Sequence, residues 1–181
     1  FGFMRLDPKP FETKWLSWLG PWQMNTFIAQ QEGDRDFSHP LIVGIRVSFT
    51  PVKNLDIGLT RGMQLCGEGR PCGIGTWSKS LIGFGGIDNT GTVNEPGNQL
   101  AGIDVSYSFR IMSDTLINIY YDGKAEDTKY LLPFQISNLA GVSLTGPWGP
   151  DGGQWRMGGE ISDTQTYGWL LWSRRVANVM Y

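Results

Sequence analysis

The sequence predicts an all-β fold, an antiparallel run of about seven strands that reads as a segment of a transmembrane β-barrel. Three observations carry this. Long stretches alternate apolar and polar residues with a period of two, which gives a strand one apolar and one polar face. The connections sort by length, tighter ones at one end of the strands and longer ones at the other, as in bacterial outer-membrane barrels. The 181-residue chain holds 25 glycines and 13% aromatics, with eight tryptophans, a composition that suits strands and turns.

The first strand expected is Trp22–Gln31, where Trp22, Met24 and Ile28 alternate loosely with Gln23, Asn25 and Gln31. A polar loop, Glu32–Pro40, follows. Leu41–Thr50 alternates cleanly: Leu41, Val43, Ile45, Val47 and Phe49 against Gly44, Arg46, Ser48 and Thr50. Thr50-Pro51-Val52-Lys53 reads as a tight connection. Asn54–Cys66 returns, with Leu55, Ile57 and Leu59 on its apolar face. Runs of roughly 9–11 residues are what a tilted strand needs to cross a bilayer.

Gly67–Asn98 is a long glycine-rich loop. Its apolar patch Trp77–Phe84 has room for one or two helical turns. Gln99–Arg110 and Thr115–Glu126 form the next hairpin about a turn at Met112-Ser113-Asp114. A less regular strand spans Phe134–Thr145. The cluster Gly146–Gly153 is a turn. A last strand carries Trp155, Met157 and Ile161 against Arg156, Glu160 and Ser162. The tail after Asp163 has no clear assignment. Trp15, Trp18, Trp22, Trp148 and Trp155 fall near strand ends on the tight-turn side, as an interfacial girdle would.

The polar face collects Arg46, Asp56, Asp104, Arg110, Asp122, Lys124, Arg156 and Glu160. On a soluble sandwich this face is the solvated outside. In a barrel it is the lumen, where opposite charges pair across neighbouring strands. Mixed signs suit a filled or constricted interior more than a single-sign ion filter. Arg61 breaks the pattern, since it continues the apolar face of Leu55, Ile57 and Leu59. Facing lipid, it costs about 2–4 kcal/mol at midplane and near zero at the interface. Either a bulge flips the register near Arg61, or the residue lies near the headgroups.

Seventeen acidic and 15 basic residues leave no basic footprint for nucleic acid. No run of about 18 apolar residues exists to form a spanning helix. No signal peptide opens the chain, and neither end reads as a natural terminus. The chain therefore reads as one partial barrel domain, residues 1–181, internal to a longer protein. Cys66 and Cys72 close a short loop, and a disulfide is the favoured reading in an oxidising compartment. A zinc site needs about four ligands, and the single histidine, His39, is distant, so no metal or other cofactor is expected.

Five blocks in order resemble the Wzi-type capsule assembly family: Gly20-Pro21-Trp22; Glu32-Gly33-Asp34-Arg35-Asp36; Gly67-Glu68-Gly69-Arg70-Pro71; Glu95 through Gly102; and Gly159-Glu160-Ile161-Ser162-Asp163-Thr164. The resemblance covers about Phe11 to Thr164, and it ends before the family's Tyr-rich stretch. It implies an outer-membrane β-barrel of about eighteen strands with a helical region towards the N-terminus. It also implies a surface lectin that helps hold capsular polysaccharide on a Gram-negative cell. The partners expected are that polysaccharide and outer-membrane lipid, with a monomeric barrel and no nucleic acid.

The candidate binding residues sit in the presumed external loops: Asp34, Arg35, Glu68, Arg70, Trp77, Lys79, Asp88 and Asn89. Arginine pairs with uronate carboxylates through its planar fork. Each residue has a plainer reading. Asp34 and Arg35 can form an intraloop ion pair, and Glu68 and Arg70 a charged turn held by the disulfide. Trp77 either stacks on a sugar ring or anchors the loop helix to the barrel. Asp88-Asn89 can be a simple turn.

Catalytic readings are poor. His39 has no serine motif beside it, no carboxylate pair stands out as a glycosidase pair, and the glycines and Lys79-Ser80 lack nucleotide-binding spacing. No enzyme is expected. The competing classes are a passive porin, which requires an open lumen, and a soluble β-sandwich interaction domain, which folds without detergent.

Overall fold

Alternation at period two becomes a single antiparallel sheet in the computed structural model, which describes residues 1–34, 38–82, 97–111, 114–126, 136–149 and 152–167. Eight strands lie side by side in chain order: β1 (Gly2–Lys9), β2 (Trp22–Gln30), β3 (Leu41–Val52), β4 (Leu55–Leu65), β5 (Gln99–Ile111), β6 (Thr115–Glu126), β7 (Ile136–Trp148) and β8 (Gly153–Tyr167). Each pairs antiparallel with the next. Among the described residues the edges β1 and β8 do not pair with each other, so the sheet is open.

The expectation was about seven strands, and the additional one is β1. Its sequence, GFMRLDPK, holds a proline and a glycine and lacks steady alternation. Pairing with β2 defines it instead, and that ladder is irregular between Leu6 and Lys9. A short 3-10 helix, Lys14–Leu19, leads into β2. Gly20, with φ +71°, turns there so close to the Thr50 carbonyl that a Cβ would collide with it. Pro21 oxygen accepts a hydrogen bond from Thr50 N at 2.9 Å.

Four further boundaries move. β3 runs on through Pro51 and Val52, so the first tight turn is residues 53–54, with Asn54 left-handed at φ +68°. Asparagine tolerates that conformation better than most residues. β7 absorbs Gly146, Pro147 and Trp148, which shrinks the expected turn cluster to residues 149–152. β8 continues to Tyr167, beyond Asp163. The loop helix α1 covers Ile74–Ile82 rather than starting at Trp77.

The short connections 53–54, 112–114 and 149–152 share one end of the sheet with the longer connection 10–21. The connections 31–40, 66–98 and 127–135 share the other. Sorting by loop length therefore holds except at 10–21. The buried cluster lies at the long-loop end and comprises Val43, Met63, Leu65 and Cys66, with Leu41, Ile45 and Trp77 packed against it.

Candidate functional site

The register places all eight predicted polar-face residues on one side of the sheet. Arg46 opposes Thr60, and Thr60 opposes Gly102, which opposes Lys124. Gly58 opposes Asp104, and Asp104 opposes Asp122. Asp56 opposes Ser106, and Arg110 opposes Leu116. Further along, Arg156 opposes Thr145 and Glu160 opposes Gly141.

These charges pair along the wall. Arg46 on β3 reaches over β4 to Asp104 on β5 in a bidentate pair, with Nη2 to Oδ2 at 2.7 Å, and also donates to Thr60 Oγ1 at 3.2 Å. Lys124 pairs with Asp122 at 2.7 Å. Thr50 Oγ1 donates to Asp56 at 2.7 Å. Arg110 lies 3.6 Å from Asp114 at the tight-turn end.

Glycine makes the long reach possible. A Cβ at Gly58 would strike both the Arg46 guanidinium and the Asp104 carboxylate. The same device recurs at β7. Tyr120 on β6 donates to Glu160 on β8, crossing Gly141, where a Cβ would strike the tyrosine ring. Alternation puts Gly58, Thr60 and Tyr120 on the polar face with the charges, but it does not mark them, or Gly141, as members of this network. A glycine at a polar-face position between strands bearing long polar side chains was the available signal.

The opposite face is apolar and falls into two parts. Near the tight turns it is bare: Leu59, Ile103, Tyr107, Ile111, Ile119, Val142, Met157 and Ile161 are exposed. An aromatic row marks the end of this part. Phe11 stacks on Trp22 at 5.5 Å and on Phe49 at 6.2 Å, Lys9 lies over the Trp22 ring, and Trp155 rests on Gly146. Trp15, Trp18 and Trp148 are exposed at the same end.

Near the long loops α1 covers the face over β3 and β4. Trp77 packs on the Val43–Met63–Leu65 cluster, so the structure gives it the anchoring contact. Arg61 stays in register, opposite Ile45 and Ala101, and the one irregularity of the β3–β4 ladder lies at Phe49–Val52. There is no bulge at Arg61. Its guanidinium instead donates to the Ser80 carbonyl from Nε at 3.1 Å and Nη2 at 2.9 Å, and to Gln99 Oε1. Ser80 lies in the last turn of α1, where a carbonyl has no partner within the helix and a cation is favoured.

The outer loops meet at this end. Glu68 N donates to Ser38 O at 3.0 Å, and Ser38 Oγ donates to Gly33 O at 2.8 Å. Gln64 Nε2 donates to Gln31 Oε1 at 2.7 Å beneath them. The Cys66–Cys72 disulfide is formed, with Cα atoms 4.7 Å apart. The loops that carry Asp34, Glu68 and Arg70 are thus tied together; Asp34 and Glu68 are exposed and Arg70 is half-buried. Lys79 is exposed on α1. Arg35, Asp88 and Asn89 lie outside the described residues.

The family described as capsule assembly protein Wzi matches residues 2–181. The chain is 38% identical over 166 residues to an uncharacterized 55.8 kDa protein in the cps region of Klebsiella pneumoniae, covering 92% of this chain and 32% of that protein. It also resembles the solved structure of Escherichia coli Wzi, an outer membrane protein involved in group 1 capsule assembly and a carbohydrate-binding β-barrel. That likeness has a TM-score of 0.68 at 30% identity, over 91% of this chain and 33% of the other. The chain thus spans about a third of the length of both relatives.

Proposed function

The chain belongs to the Wzi capsule assembly protein family, and from that premise we propose that it is wall and outer loops of a bacterial outer-membrane β-barrel that holds capsular polysaccharide at the cell surface. The apolar face meets lipid and the charged face lines the lumen. The tied loops 31–40 and 66–98 present Asp34, Arg35, Glu68, Arg70, Lys79, Asp88 and Asn89 to the polymer, with Trp77 setting the loop's position. Retention is non-covalent and the barrel acts without catalysis, as a monomer. Many weak contacts along one polymer add through multivalency.

The observation that carries this reading is the division of the sheet. Eight charged residues share one face, while a bare aliphatic band occupies the other. A soluble sheet would bury that band, whereas a membrane barrel exposes it to lipid. The lumen charges lie against the wall in pairs, Arg46–Asp104 across strands and Lys124–Asp122 along β6, which suits a structured interior.

Capsule binding by the complete protein is the test. The combined variant Asp34→Ala, Glu68→Ala, Arg70→Ala and Lys79→Ala is expected to lose polymer binding while the barrel still folds. Unchanged binding removes these residues as the site. Large, stable conductance of the complete protein in a planar bilayer would favour a porin instead.

A further inference from the structure

We propose that helix α1 is a lipid-contacting element that lies against the outer leaflet and completes the upper margin of the apolar band. This rests on the membrane reading above. On β5 the bare face runs from Ile111 to Ile103. At about 3.4 Å per residue those eight steps span about 27 Å along the strand. A tilt of roughly 40° leaves about 20 Å of height, whereas such bands stand about 25 Å tall. The missing height lies on the loop side, one side-chain level beyond Ile103, where Ala101 opposes Arg61.

Helix α1 occupies that level. It turns Trp77 and the buried Ser80 towards the sheet and takes up the Arg61 charge at its C-terminal carbonyls. Its remaining apolar residues stand exposed: Ile74 is 87% exposed, Ile82 51% and Leu81 46%. At about 100° per residue, Trp77, Leu81, Ile74 and Ile82 fall within one arc of about 140°. Thr76 and Lys79 lie on the opposite flank. The apolar arc therefore begins at the sheet and runs round to the outside, continuous with the aliphatic band. A helix with one apolar arc and a polar opposite flank is built to lie in a membrane interface, the polar flank turned to water.

The aromatic residues point the same way. The tight-turn end has its own girdle in Trp22, Trp148 and Trp155. Among the described residues the one tryptophan at the loop end is Trp77, and α1 brings it there. Aliphatic side chains offer little to a polymer of hydroxyls and carboxylates, so these three isoleucine and leucine residues fit lipid better than capsule.

The test is photo-crosslinking of the complete protein in vesicles of phosphatidylethanolamine and lipopolysaccharide. Benzoylphenylalanine replaces Ile82, with Ile119 in the bare band and Ser106 on the polar face as references. The expected result is lipid captured at Ile82 with a yield comparable to Ile119, and none at Ser106. Capture at Ile119 with none at Ile82, or with Ile82 joined to polysaccharide or to a second copy, overturns the role of α1 and leaves the membrane reading intact. No lipid at Ile119 overturns both. Ile74 serves as a second position in case replacement at Ile82 disturbs the helix.

Discussion

The two halves of the apolar face carry the same alternating sequence and have different partners. Near the tight turns Leu59, Ile103 and Ile119 stand uncovered. Near the long loops Val43, Met63 and Leu65 are buried beneath α1, with Leu65 fully excluded from solvent. A period of two states which face a residue takes. It does not state what lies against that face. The covered half is a small protein core with close packing, and its energetics follow cavity rules. The bare half is an exposed surface, and under the proposed membrane reading its energetics follow the bilayer.

The largest effect is expected where packing is tightest. Met63→Ala leaves a cavity under α1 and should cost about 2–5 kcal/mol. Leu59→Ala, four residues nearer the tight turns, should cost clearly less, because lipid fills the space. Urea titration of the complete protein folded into vesicles reads both, and equal losses would erase the distinction between the halves. Next comes charge. Ile119→Arg should destabilise the inserted barrel by about 2–4 kcal/mol if that position lies near midplane. Ser106→Arg, on the charged face, should be tolerated far better in the same assay.

Arg61 tests the boundary itself. Arg61→Leu makes the face uniformly apolar but strips the Ser80 carbonyl and Gln99 of a donor. A stability loss of about 1–3 kcal/mol is expected, as for stranded buried polar groups. A gain would mean that the helix contact contributes nothing and that Arg61 was only a burden on the lipid face. The smallest effect belongs to the polar face. Asp104→Asn weakens a pair whose two side chains are both partly exposed, so about 1 kcal/mol or less is expected.

Much of this was legible in the sequence. Leu41–Phe49, Leu55–Leu59, Ile103–Phe109 and Ile117–Tyr121 declared their faces, because a strict alternation leaves each side chain one place to go. The charged face follows from the same rule. β1 was not legible, since Pro8 and the mixed order of Phe3 to Asp7 give no period and only pairing with β2 defines it. The end of β7 was masked by Gly146 and Pro147, which read as turn residues. Their place at the strand's last pairs accommodates both a missing donor and the Trp155 ring. Arg61 was assigned to the right face, but its partner comes from a helix in a distant loop. No local pattern in β4 announces Ser80. The loop residues were singled out by type, and the structure adds that hydrogen bonds tie their loops together.

The most direct test of the two-faced wall is a spin-label scan along β5, one cysteine at a time from Gly102 to Phe109, in the complete protein in bilayers. The native Cys66 and Cys72 are joined and do not take the label. Oxygen, which partitions into lipid, should relax labels at Ile103, Val105, Tyr107 and Phe109. A water-soluble nickel chelate should relax those at Asp104, Ser106 and Ser108. An unbroken period of two with opposite phases for the two reagents is the expected result. Equal access at consecutive residues, or reversed phases, would contradict the wall that separates lipid from lumen.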